Sequence, residues 1–123
     1  MNHRVQVFAE NGEYIEEWPD IYDPVAIFID ESDAVWVLDA TLNRMLKYSL
    51  AGELLDYWGA YAEVSSLGRS GGPGGMSLPH QMDMDEDGNL YIAEFGGPWL
   101  DKFVPKSGAD PTRLIGKRQL GTN

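Results

Sequence analysis

The chain has 123 residues, of which 43% are hydrophobic, enough for one domain with its own core and too apolar for wholesale disorder. Twenty acidic against nine basic side chains give a net charge of −11, which argues against nucleic acid or an anionic membrane as partner, because phosphate binding needs clustered Lys and Arg. The absence of cysteine excludes disulfides and thiolate metal sites. No apolar run reaches membrane-spanning length, and MNHRVQVF lacks a signal-peptide core, so the default compartment is cytoplasmic.

The elements expected are all short strands. Arg4–Ala9 and Glu13–Trp18 flank Glu10-Asn11-Gly12, a turn with glycine where positive φ is cheap. Pro19-Asp20 breaks the second strand, and Asp23-Pro24 introduces the next. Val25–Ile29 and Ala34–Leu38 follow, apolar at successive positions, as expected of strands buried on both faces. Arg44–Ser49 and Glu53–Trp58 are more mixed, with Lys47, Glu53 and Asp56 interrupting the apolar positions. Gly59–Leu78 interrupts the pattern, and its glycine-rich Gly68–Gly75 matches no phosphate-loop spacing, so it reads as a connecting loop. The strands then resume as Gln81–Asp85, Asn89–Glu94, Trp99–Val104 and Thr112–Ile115, before a short polar tail.

The chain repeats itself. Laying Pro24 on Pro79 without a gap puts Asp30 on Asp85, Trp36 on Tyr91, Asp39 on Glu94 and Tyr48 on Phe103. A second offset, of about 40 residues, lays Arg4–Phe8 on Arg44–Tyr48, Gly12 on Gly52 and Trp18 on Trp58. Repetition of this kind in short strands predicts an all-β, partial β-propeller of about two and a half four-stranded antiparallel blades. The expected units are a half blade at 4–18, a blade at 24–58, an inserted loop at 59–78, a blade at 79–116 and a tail at 117–123. A ring needs about four to eight blades, so closure is expected through homo-oligomerisation, most simply a twofold dimer; the competing expectation is that the chain is a fragment of a longer propeller.

Asn43-Arg44, Gly52, Trp58-Gly59, Leu78-Pro79-His80 and Asp85–Tyr91 together resemble the NHL-repeat β-propellers. The stretch from Leu78 through Lys117 is similar to the last part of bacterial six-bladed propellers of the peptidyl-α-hydroxyglycine α-amidating lyase-like group. That resemblance implies a zinc ion near the axis held by histidines from several blades, one in a Pro-His context such as Pro79-His80. Val25 stands where the preceding blade would need its histidine, and His3 is the only other imidazole.

The candidate site lies at the head of the third unit. His80, Gln81 and Asp83 begin the strand expected to line the channel, and Gln81 and Asp83 replace Ala26 and Phe28 of the preceding unit. Glu94 at the end of the next strand and Trp99 after Gly96-Gly97-Pro98 complete the expected ligand-binding set, with Trp99 the tryptophan expected to be most exposed. His80 is the candidate metal ligand. Asp83-Met-Asp85-Glu-Asp87-Gly88 with Glu94 also fits a calcium-loop pattern, although a blade turn explains the same residues, so zinc and calcium are the candidate cofactors. No hydrolase motif is present. The reading is an oligomeric NHL-type module that binds a peptide or small ligand at its channel face, with a metal-assisted lyase or hydrolase as the alternative.

Overall fold

A computed structural model of the chain describes residues 3–61, 64–65, 68–69 and 75–117. The fold is all-β. Its strands are β1 (Val5–Phe8), β2 (Tyr14–Trp18), β3 (Pro24–Ile29), β4 (Val35–Asp39), β5 (Arg44–Tyr48) and β6 (Leu54–Trp58). Four two-residue strands follow, β7 (Ala60–Tyr61), β8 (Val64–Ser65), β9 (Gly68–Arg69) and β10 (Gly75–Met76). The last three are β11 (Pro79–Met84), β12 (Leu90–Glu94) and β13 (Leu100–Phe103), and one 3-10 turn covers Pro111–Arg113.

Three antiparallel sheets carry the structure: the hairpin β1-β2, a central sheet β3-β4-β5-β6 and a C-terminal sheet β11-β12-β13. Within the inserted segment β7 pairs in parallel with β10, and β8 pairs with β9. Residues 70–74 of the expected glycine-rich loop, and 118–123 of the expected tail, lie outside the described residues.

The internal repeat is reproduced in the strand registers. Val5↔Trp18, Gln6↔Glu17 and Val7↔Glu16 in the hairpin match Met45↔Trp58, Leu46↔Tyr57 and Lys47↔Asp56 in β5–β6, with an irregularity at the same next step. Their turns also match, closed by Gly12 amide to Ala9 carbonyl and Gly52 amide to Ser49 carbonyl, with both glycines at positive φ. The other offset holds equally well. Pro24↔Asp39 followed by a bulge in β3–β4 is matched by Pro79↔Glu94 followed by a bulge in β11–β12.

Two apolar layers fill the spaces between the sheets. Val35, Val37, Leu46 and Tyr48 turn towards the hairpin and pack with Trp18, Ile21, Val5 and Val7. Phe28, Trp36, Leu38 and Met45 turn the other way, against Leu90, Ile92, Met82 and Met84 of the C-terminal sheet. Strand β4 is therefore buried along its whole length, each large side chain contributing about 1.5–3 kcal/mol of transfer free energy.

Two expectations are corrected. Strand β3 is not buried on both faces: Ile27 is 57% and Ile29 40% exposed, because the hairpin covers β4 and β5 but does not extend over β3. Thr112–Ile115 is not a fourth strand. Asp110 caps a 3-10 turn, accepting from the Thr112 amide at 2.9 Å and its hydroxyl at 2.7 Å, and Pro111 has no amide to give a ladder.

The chain then crosses back to the central sheet instead of bordering β13. The Thr112 carbonyl accepts from Lys47 Nζ at 2.5 Å, Arg113 pairs with Asp56 at 2.9 Å, and the Gly116 amide donates to Asp30 at 3.1 Å. This strap ties the second and third sheets together at their turn ends.

Candidate functional site

Strand β11 has two ends with different chemistry. Its Pro79 end lies opposite Glu94, and its Met84 end opposite Leu90, beside the Asp85 turn. At the Pro79 end the bulge isolates His80, which is exposed, with its ring 6.2 Å from the ring of Phe95. Phe95 is 79% exposed, so the two rings form an open aromatic corner.

Gln81 and Asp83 follow on the outward face. Cross-strand pairing sets Gln81 beside Ala93 and Leu100, and Asp83 beside Tyr91 and Lys102. The Lys102 ammonium stands 5.3 Å from the Tyr91 ring centroid, and contact with Tyr91, chiefly a hydrogen bond, holds the lysine above its ordinary pKa. An anion, an aromatic ring and a cation thus lie in one row across the sheet. The central sheet has the apolar version at the same register, Phe28 and Trp36, with Lys47 5.2 Å from the Trp36 ring.

The two remaining candidates serve the fold. Glu94 is buried and accepts from the Ser77 amide at 3.2 Å, holding the entry to β11. Asp39 does the equivalent work for β3, accepting from the Tyr22 and Asp23 amides at 3.0 and 2.9 Å, and it also takes Arg44 Nε at 3.1 Å. Arg4 pairs instead with Glu17 at 3.1 Å. Trp99 is half-buried, as is Trp58, and its ring lies over Gly97, where an added Cβ would stand 1.6 Å from it. The indole therefore closes its own loop.

The residues do not fit either candidate metal. Among the described residues no group of three or more His, Asp or Glu side chains could hold a metal ion. His3, the second imidazole, hydrogen-bonds the Tyr22 carbonyl through Nδ1 and packs on the Tyr22 ring. Of the calcium-loop residues, Asp85 is already satisfied by the Asp87 and Asn89 amides, the Asn89 side chain and the Tyr91 hydroxyl. Those hydrogen bonds, led by the Asn89 side chain, pull its carboxyl down to about 2. Glu94 lies at the opposite end of the strand pair.

Two grooves lie elsewhere. A groove of about 1190 Å³ opens at the turn ends of the sheets, under the C-terminal strap, and a smaller one of about 400 Å³ adjoins it beside Trp58 and Phe103. Two of the cations lining the large groove are committed to structure, Lys47 to Thr112 and Arg113 to Asp56, and Lys117 lines it as well. The polar and aromatic corner at His80, exposed and singled out by the sequence as well, is the other candidate site.

Sequence reasoning missed Tyr91, Phe95 and Lys102. Lys102 was within reach, because the same offset that lays Trp36 on Tyr91 lays Lys47 on Lys102. Phe95, following the strand, carried no periodic signal. No helix among the described residues is long and apolar enough to cross a membrane. No protein-family model matches the chain, and neither does any curated protein.

Proposed function

We propose that the chain is a segment of an NHL-type β-propeller that acts as a binding module, taking a peptide or small ligand at the axis-facing end of its C-terminal sheet. His80 and Phe95 form the aromatic corner, and Gln81 and Asp83, with Tyr91 and Lys102 across the sheet, supply polar contacts. The observation that carries this reading is the change of chemistry at one register: β11 offers exposed Gln81 and Asp83 where β3 has half-buried Ala26 and buried Phe28. A sheet that needed only to pack would have no use for that change.

Assembly belongs to the same proposal. The matched registers support reading the three sheets as successive units of one repeat, and both ends of such a stack expose large side chains, Phe8 and Ile15 at one and Leu100 at the other. Two copies arranged about a twofold axis would bring together about six sheets, within the range of closed propellers.

Amide NMR spectra recorded with an equimolar tetrapeptide library test the site. The expected shifts centre on His80, Gln81, Asp83 and Phe95 and are lost in a His80→Ala/Asp83→Ala variant. Shifts confined to the groove around Arg113, or unchanged by the double substitution, would overturn the assignment.

A further inference from the structure

The hairpin β1–β2 repeats the register of β5–β6, yet β5 is bonded on its far side to β4, whereas β1 pairs with β2 alone among the described strands. The same vacancy is visible on the neighbouring sheet. Ile27 and Ile29 lie on the side of β3 that faces the hairpin layer, paired with Val37 and Val35, and they are exposed.

Their counterparts in the C-terminal sheet, under the Pro24-on-Pro79 offset, are Met82 and Met84. Both are half-buried against the layer that contains Phe28, Trp36 and Leu38 of β3–β4. One strand position is thus covered where an inner pair of strands precedes it and bare where none does. The chain contains its own control.

We infer that the free edge of β1, with Ile27 and Ile29 beside it, is a docking surface for an antiparallel β-hairpin that presents an apolar face to β3. Backbone hydrogen bonds along β1 would give affinity, and apolar side chains at alternate positions would give selectivity. The required chemistry is that of β3–β4, whose Phe28, Trp36 and Leu38 cover Met82 and Met84.

A second copy of this chain does not supply it. Its β11–β12 carries Gln81 and Asp83 where β3 carries Ala26 and Phe28, and burying a carboxylate on isoleucine costs more than the contact returns. Its β3–β4 is already bonded to β5. The surface therefore selects a hairpin of inner-strand chemistry that a second copy does not offer, whether or not two copies associate through their outer faces.

The full chain with a second copy of residues 21–43 inserted between His3 and Arg4 tests this. The link then reproduces the chain's own passage from β4 to β5. Two readouts are taken, hydrogen exchange of the β1 amides and the melting temperature. The inference expects β1 exchange to slow at least about tenfold and Tm to rise by about 5 °C or more. Both gains should vanish when the inserted copy carries Phe28→Ser, Trp36→Ser and Leu38→Ser. Unchanged β1 exchange, protection appearing at β13 instead, or gains that survive the triple serine change would each overturn it.

Discussion

Asp30→Asn isolates the hydrogen-bond node that joins the central sheet to the C-terminal strap. Asp30 is 1% exposed. One carboxylate oxygen accepts from the Ser32 amide at 2.9 Å, the Ser32 hydroxyl at 2.6 Å and the Ala34 amide at 3.1 Å. The other accepts from Trp36 Nε1 at 2.8 Å and the Gly116 amide at 3.1 Å. An asparagine keeps one acceptor and turns an NH2 group towards donors, so at least two bonds to a charged acceptor become donor–donor contacts.

Such bonds are worth about 1.5–3 kcal/mol each, and relief of carboxylate burial offsets part of the loss, leaving about 2–3 kcal/mol. Urea unfolding at pH 7 should therefore show a midpoint lower by about 1–2 M. Burial pushes the Asp30 carboxyl up, but the bonds from Ser32, Trp36, Ala34 and Gly116 outweigh it and hold the pKa below 3.8. A depressed folded pKa means stability that is present above 3.8 and lost as pH falls through the folded value. The gap between wild type and Asp30→Asn should therefore be full at pH 7 and narrow below pH 3.8. A loss under about 0.5 kcal/mol, or a gap that stays constant into acid, would refute the node.

Equivalent glycines should respond unequally. Gly12→Ala meets nothing within 4 Å and should cost only the left-handed backbone, about 1 kcal/mol, whereas Gly52→Ala drives a Cβ to 2.3 Å from the Trp18 indole and should cost about 3 kcal/mol or more by thermal unfolding. Arg44→Met leaves buried Asp39 with only its backbone donors and should lose about 2–3 kcal/mol in urea. Asp85→Asn, in the more open twin of the Asp30 turn, should lose less than Asp30→Asn in the same assay. His80→Ala/Asp83→Ala should leave the melting temperature within about 2 °C of wild type, since both side chains are exposed, while removing peptide-induced shifts.

The strand order was legible because the repeat is written in residues with structural duties. Pro24 and Pro79 start bulged strands, Asp39 and Glu94 cap the entry to those strands, and Gly12 and Gly52 sit at positive φ. What failed depended on partners that alternation does not encode. Ile27 and Ile29 look like core residues in the chain, yet their burial requires a strand pair that the hairpin does not contain. Thr112–Ile115 ends in the apolar pair Leu114-Ile115 and follows a turn signal, as a strand would, but Asp110 and Pro111 fix a turn and aim the segment at Lys47 and Asp30.

At the site, the polarity of Gln81 and Asp83 was readable by comparison with Ala26 and Phe28. The burial of Glu94 was not, because a carboxylate that caps backbone amides looks in sequence like one that waits for a ligand. Trp99 is half-buried, as is Trp58, and the glycines before it make room for its ring.

The mass of the protein in solution, by light scattering at micromolar concentration, tests the central proposal most directly. The proposed assembly predicts a discrete oligomer of the 13.7 kDa chain, most simply twice that mass. A stable, well-folded species of one chain's mass would contradict it.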